Sequence, residues 1–316
     1  MVIELLKSGY DVTVLTRDTE RLSKVFPTAR IVAVNYDSDA SLTKALQDQD
    51  AVVSTVAMSA ISNQPRLIDA AIAAGVRYFI PAEYTVNSRD ATAQAQPMMA
   101  SVVAIQQYLA TKEDQINWFV INCGALLEFI LDHPILLDFD KHTGRLWDHG
   151  EGAISLSDIP LLARAVAAVL RQPDKVVDHR VKVHGGTITQ NAALALAKQH
   201  SSLEWPVQAA HSQSTYNMAM QKLRSGSISD PAELMHNLMI AYAAATFGNC
   251  DGHFESAYAE PDNGWLGVDL FTNNEIEEAI RKRVTLGTWA EQSGTSGEES
   301  MKDVSGGLAE KFKEGR

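Results

Sequence analysis

The chain has 316 residues, 46% hydrophobic and 21% charged, which is globular composition with room for one α/β domain and an attached lobe. A formal net charge of −12 argues against nucleic acid as a partner, because that affinity rests on Lys and Arg neutralising phosphates. No apolar run approaches the roughly 18 residues of a membrane span, and Glu4 and Lys7 interrupt the apolar stretch a signal peptide would need. The two cysteines, Cys123 and Cys250, are too far apart for a disulfide framework, so reduced thiols in a cytoplasmic setting are expected.

Apolar Val2, Leu5 and Leu6 fit one face of a helix that Gly9 closes. Asp11 to Arg17 is a β-branched stretch and reads as a buried strand. A short helix over 18–26, a strand over 30–36, a helix over 41–47 and an apolar strand over 51–56 follow. Residues 65–74 form a helix with Pro65 in its first turn, and the strand over 77–81 is stopped by Pro81. A helix over 100–111 and a strand over 118–123 complete the first part. Strands alternating with helices of about ten residues predict βαβ units and a mainly parallel sheet covered on both faces. The fold class is therefore α/β, a doubly wound parallel sheet with a smaller α+β lobe.

Beyond 126 the pattern is less regular. Residues 127–157 mix loops and strands, Asp158 to Leu170 is a capped helix, and 179–183 alternates like a strand. Residues 189–200, 203–226 and 230–246 carry helical periodicity. The reading divides the chain into a dinucleotide-binding core over 1–126, a substrate lobe over 127–288 and a flexible tail over 289–316, rich in Gly, Ser, Glu and Lys.

A dinucleotide fold needs a first strand and then a glycine-rich turn that presents a helix N-terminus to the pyrophosphate. Here the chain opens inside what looks like that helix. Gly150 and Gly152 lie in a polar loop with an acid between them, and Gly185 and Gly186 come far down the chain, so neither pair substitutes. The two strands flanking the absent one are expected to lose ladder partners, and a longer functional precursor is expected.

Five stretches carry a family resemblance: LLKSGYDVTVLTR (5–17), LIDAAIAAGVRYFIPAEY (67–84), INWFVINCGALLEF (116–129), LWDHGEGAISLSDIPLLARAVAAVL (146–170) and VKVHGGTITQNAALALAKQ (181–199) with WPV after it. They resemble the NmrA-like and isoflavone-reductase-like family of atypical short-chain dehydrogenases, in its fungal form, over about residues 1–280. The resemblance implies a Rossmann-type fold and an NADP(H)-dependent oxidoreductase acting on a small aromatic or alkaloid-like secondary metabolite. The NADP assignment is conditional on the missing loop. Thr16 and Arg17 would meet the adenosine ribose, and a guanidinium there matches a 2′-phosphate, whereas NAD enzymes prefer an acid. Ser54, Thr55 and Val56 would line the adenine and pyrophosphate, with Pro81 at the next strand end. Glu83, Tyr84, Cys123, Gly124 and Glu128 would face the substrate.

The catalytic residue departs from the family. VVAIQQYL (102–109) aligns with a Lys-x-x-Val-x-x-Tyr-Leu helix, so Val102 stands at the Lys position and cannot move a proton. Pro81-Ala82-Glu83-Tyr84-Thr85 replaces Pro-Ser-Glu-Phe-Gly, and Ser88 stands where a Tyr/Lys pair would need Lys, which leaves Tyr84 as the substitute proton donor. Two alternatives follow: a non-catalytic dinucleotide-sensing regulator with a protein partner, and an inactive truncated form. The acids and histidines between Asp132 and His149, and Asp251, His253 and Glu255, match no metal-ligand spacing, so no metal is expected. Cys123 reads as a buried structural thiol.

Overall fold

A computed structural model describes residues 1–288; the tail expected over 289–316 lies outside the described residues. The first part runs α1 (Val2–Lys7), β1 (Thr13–Thr16), α2 (Thr19–Val25), β2 (Arg30–Ala33), α3 (Asp39–Leu46), β3 (Ala51–Val53), α4 (Gln64–Ala73), β4 (Tyr78–Ile80), α5 (Ala91–Gln94), α6 (Ala100–Ala110), β5 (Asn117–Trp118) and β6 (Val120–Asn122). The second runs β7 (Ala125–Leu126), α7 (Leu127–Asp132), β8 (Gly144–Trp147), β9 (Ala153–Ser157), α8 (Ile159–Arg171), β10 (Arg180–Lys182), β11 (Gly186–Thr189), α9 (Gln190–Gln199), β12 (Val207–Ala210), α10 (Ser212–Ser225), α11 (Pro231–Phe247), α12 (Asn263–Leu266) and α13 (Asn273–Leu286).

Pairing is parallel within β1–β2, β3–β4–β5, β6–β10, β7–β9 and β8–β12; the β9–β11 pair is antiparallel. Among the described residues no ladder joins β1 to β3. Yet Leu15 and Val52 share one apolar cluster, and Val12 and Val53 share another. Residues in and beside the two strands therefore contribute to the same apolar clusters without a ladder joining the strands.

The clusters cover the sheet on both faces. On one, Leu5 of α1 packs with Leu161, Ala165, Val166 and Val169 of α8. Helix α8 forms because its Ala- and Leu-rich run starts on Pro160 and is capped by Asp158, which accepts from the Leu161 amide at 2.7 Å. Two long-range bonds pin α1 to it: the Tyr10 hydroxyl donates to the Ala167 carbonyl at 2.8 Å, and Arg171 donates to the Ser8 carbonyl at 2.6 Å. On the other face, Ile68 and Ala71 of α4 and Ile105 and Leu109 of α6 cover Phe79 and Trp118.

Several expectations need correction. The second strand ends at Ala33, and Tyr36 turns so that its hydroxyl donates to the Leu15 carbonyl. The stretch 203–226, expected as helical, divides into β12, paired with β8, and α10. Helix α13 has no counterpart in the sequence reading because its composition is strongly charged. Its sequence signal was the capping box of Thr272 and Glu275. Among the described residues no helix is long and apolar enough to cross a membrane.

Candidate functional site

In a parallel sheet, ligands gather at the carboxyl ends of the strands. At the end of β1, Thr16 accepts the Asp18 amide on its hydroxyl at 3.0 Å, so it shapes the turn. Arg17 is exposed and forms no ion pair with any described carboxylate; its charge acts on the nearby Tyr36 ring. Past β3, Ser54 is buried with its hydroxyl unpartnered, Thr55 is exposed and Val56 is half-buried.

Pro81 is buried at the end of β4, where Gln64 accepts the following Ala82 amide at 2.8 Å. Glu83 is sealed in a polar knot. Its Oε1 accepts from the Ser88 hydroxyl and, at 2.6 Å, from Gln106 of α6, while Asn122 of β6 donates to Ser88 at 2.9 Å. Its Oε2 is buried with no partner. Burial pushes the Glu83 carboxyl up to about 8, against the opposing pull of the Ser88 and Gln106 bonds and the Arg89 charge. The Tyr84 hydroxyl donates to the Ser54 carbonyl at 2.9 Å, and burial raises its pKa far above the ordinary phenol range.

Cys123 is fully buried, and its thiol is pushed up to about 12 by that burial. Burial likewise raises Cys250. Neither thiol is therefore expected to react with iodoacetamide at mildly alkaline pH in the folded chain, and both should react once denaturant is added. Rapid alkylation of Cys123 in the native protein, read by mass spectrometry, would contradict this. Gly124 adopts φ +68°, and a Cβ there would lie 2.3 Å from the Ser155 carbonyl oxygen. Its role in the structure is close backbone approach.

Glu128 stands apart from these four. It lines a cavity of about 560 Å³ between α7, the start of α8 and α13. Leu127, Leu131, Pro160, Phe271 and Ala279 make the apolar wall; Glu128, Asp132, Asp158, Glu275 and Glu278 make an acidic one, with Lys282 and Arg283. The Oε1 of Glu128 accepts from the Ile159 amide at 3.0 Å, and its Oε2 is buried with no partner. Burial raises the Glu128 pKa, and the neighbouring charges of Asp158 and Asp132 add to the rise. The charge of Glu128 also acts on the Met1 amino group.

A sequence model of the NmrA-like family matches residues 1–131, and the chain is 27% identical over 224 residues to Oxidoreductase aprR of Aspergillus flavus, covering 69% of this chain and 75% of that one. The chain, over its first 131 residues, is similar to the NmrA-like family. It is also 27% identical over 232 residues to Oxidoreductase poxI of Penicillium oxalicum, covering 70% of this chain and 72% of the relative. Among solved structures, an isoflavone reductase superposes with a TM-score of 0.64 at 14% identity, over 90% of this chain and 94% of that one. The NADPH-dependent quinone oxidoreductase QOR2 of Escherichia coli, solved with NADPH, gives 0.63 at 16%, over 88% and 93%. These likenesses show a Rossmann-type α/β fold.

Of the five residues expected to face substrate, only Glu128 lines the cavity. Glu83, Tyr84, Cys123 and Gly124 are not among its lining residues. Val102 faces the core on α6. Sequence reasoning missed Asp158, Phe271, Glu275, Glu278, Lys282 and Arg283. Asp158 was legible as a helix cap, and nothing local distinguished the α13 residues. The suspected acid and histidine clusters disperse: Asp132 and Asp140 pair with Arg283, Asp148 holds Ser212 and Asn249, and His133 bonds the Phe129 carbonyl. Among the described residues no three His, Cys, Asp or Glu side chains converge as metal ligands.

Proposed function

We propose that this chain is an NADP(H)-dependent oxidoreductase acting on a small aromatic or alkaloid-like metabolite. The observation that carries the cofactor assignment is Arg17, an exposed guanidinium without a carboxylate partner at the carboxyl end of β1. The described residues fit the adenosine end of the dinucleotide. Arg17 would hold the 2′-phosphate, and the buried Ser54 hydroxyl, which lacks a protein partner, lies at the neighbouring strand end. Support comes from the two fungal relatives named oxidoreductases and from similar folds solved with NADPH or with NADP+ and (+)-pinoresinol. When bound, the nicotinamide supplies or accepts a hydride. The chain's part would be to orient the cofactor by Arg17 and to hold the substrate in the cavity beside Glu128.

Arg17→Glu should weaken NADPH at least about tenfold more than NADH, since a charge-assisted phosphate contact contributes about 1.5–3 kcal/mol. Quenching or enhancement of nicotinamide fluorescence on titration measures both. Equal losses for the two cofactors would refute the 2′-phosphate role, and no binding of NADPH by the wild-type chain would refute the assignment.

One observation favours a second reading, a dinucleotide-binding regulator with a protein partner. Val102 is buried, and the Tyr84 hydroxyl is engaged with Ser54, so neither offers a proton to the cavity. NADPH binding without consumption across a panel of enones and imines would select this reading.

A further inference from the structure

Helix α10 departs from the charge of the whole chain. Its 14 residues include Lys222 and Arg224 near the carboxyl end and no acid, in a chain of net charge −12. Lys222 is engaged with Glu233 of α11 at 3.0 Å. Arg224 is exposed and forms no ion pair with any described carboxylate. Gly226 closes the helix in the left-handed conformation, at φ +63°. Residues 227–230 then run without regular secondary structure to the Asp230 cap of α11. Ser227 is exposed on that run; its hydroxyl lies 2.7 Å from the Ser225 hydroxyl, and its amide donates to Ser225 Oγ at 3.3 Å. Ile228 beyond it is half-buried against the core, which fixes the loop and leaves the serine uncovered. Protein kinases read the charge pattern beside the accepting hydroxyl and need that hydroxyl accessible. Among the described residues, Arg stands three positions before a Ser or Thr at two places, Arg89 before Thr92 and Arg224 before Ser227. The first is closed: Arg89 pairs with Asp178 at 3.0 Å, and Thr92 is half-buried in α5 with its amide bonded to Asp90. The second offers an unpaired cation and an exposed hydroxyl on irregular backbone.

We propose that Ser227 is a phosphorylation site, used by a protein kinase that selects an arginine three residues before the accepting serine. The Ser227 oxygen attacks the γ-phosphorus of ATP, the bond from that phosphorus to the bridging oxygen of ADP breaks, ADP leaves, and the hydroxyl proton passes to the kinase's catalytic carboxylate. The product carries about −1.5 to −2 charge at pH 7, enough to cancel Lys222 and Arg224 together. Arg224, unpaired and three residues away, is the guanidinium that would hold the phosphate. The charge change falls on the rim of a groove of about 740 Å³, which Arg224 and Ser225 line with Tyr216, Asn217, Gln221 and Asp251. Arg224 balances Asp251 there before modification, and afterwards the rim is acidic. The inference stands apart from the oxidoreductase reading and goes beyond it.

The test incubates the whole folded chain with the catalytic domain of a calmodulin-dependent protein kinase, ATP and magnesium, and follows intact mass and peptide maps over time. The chain should gain one phosphate, on Ser227. Ser227→Ala should remove it. Arg224→Ala leaves the hydroxyl in place and should slow the reaction at least about tenfold, the loss that one charge-assisted contact represents. Both positions are exposed, so urea midpoints of the two variants should match the wild type and show that the fold is unchanged. No incorporation, a phosphate on Ser225, Ser229 or Thr92 in place of Ser227, or an Arg224→Ala chain modified as fast as the wild type would each overturn the proposal. NADPH titration decides the oxidoreductase reading separately, so the failure of either leaves the other standing.

Discussion

Replacing Glu83 with glutamine is expected to flatten the loss of stability that the wild-type chain shows as pH rises from about 4.5 to about 8. The unfolded carboxyl titrates near 4.5 and the folded one near 8. Between those values the native state binds more protons than the unfolded state, so the contribution is fully present below 4.5 and is lost progressively toward 8. The slope is about 1.4 kcal/mol per pH unit for one group. The cause is geometric. Glu83 is 3% exposed, its Oε1 already receives Ser88 and Gln106, and its Oε2 has neither donor nor water-facing surface. Ionisation would place a charge there with only the more distant Arg89 to oppose it. Glutamine keeps the acceptor and cannot ionise. Denaturant midpoints at about pH 5 and about pH 8 should therefore converge in the variant, with near parity between the two proteins at the acid end. Parallel slopes would mean that Glu83 is not the group that titrates. Glu128 and Asp158, also raised by burial, slope the same way and remain in the variant, so a residual trend is expected.

Gly124→Ala should cost roughly 2–5 kcal/mol, combining the left-handed backbone with overpacking. At φ +68° an added Cβ meets the Ser155 carbonyl oxygen at 2.3 Å and the Ser155 carbonyl carbon at 2.6 Å. These are backbone atoms of β9 and cannot rotate aside. Movement of Gly124 would also disturb its amide, which donates to Tyr258 Oη at 3.0 Å and to the Thr85 carbonyl at 3.2 Å, and the adjacent Ala125–Leu156 pairing of β7 with β9. Gly75 is the internal control. It has φ +80° after α4, with nothing within 4 Å of a built Cβ, so Gly75→Ala should incur only the backbone part, about 1–2 kcal/mol. Urea unfolding of the three proteins decides it. Equal losses at the two glycines would show that the contact with Ser155 is relieved at no cost.

The alternation of β-branched runs with helical periods was written locally, and so was most of the fold. Thr13 to Thr16, Ala51 to Val53 and Tyr78 to Ile80 declare themselves as strands, though Thr13 to Thr16 is only half-buried where a buried strand was expected, and Pro81 and Gly75 mark where elements stop. Arg17 was legible because a strand end followed by a long cation is a short-range pattern. Hydrogen-bond geometry and hydrophobic periodicity act over a few residues, and a sequence states them directly.

The cavity obeyed different physics. Glu128, Asp158 and Glu275 meet only because β7 and β9 pair in parallel, which sets the start of α7 beside the start of α8, and because α13 closes over both. Glu83 and Tyr84 sat in a family segment that suggested a substrate face, yet Gln106, Asn122 and the Ser54 carbonyl drew them inward. By itself the sequence determined the order of elements up to β6, the strand-end cation and the places where the backbone must turn. Only the tertiary structure decided which carboxylates share a space and which of them lacks a donor, because burial and charge pairing are set by residues that approach across the fold.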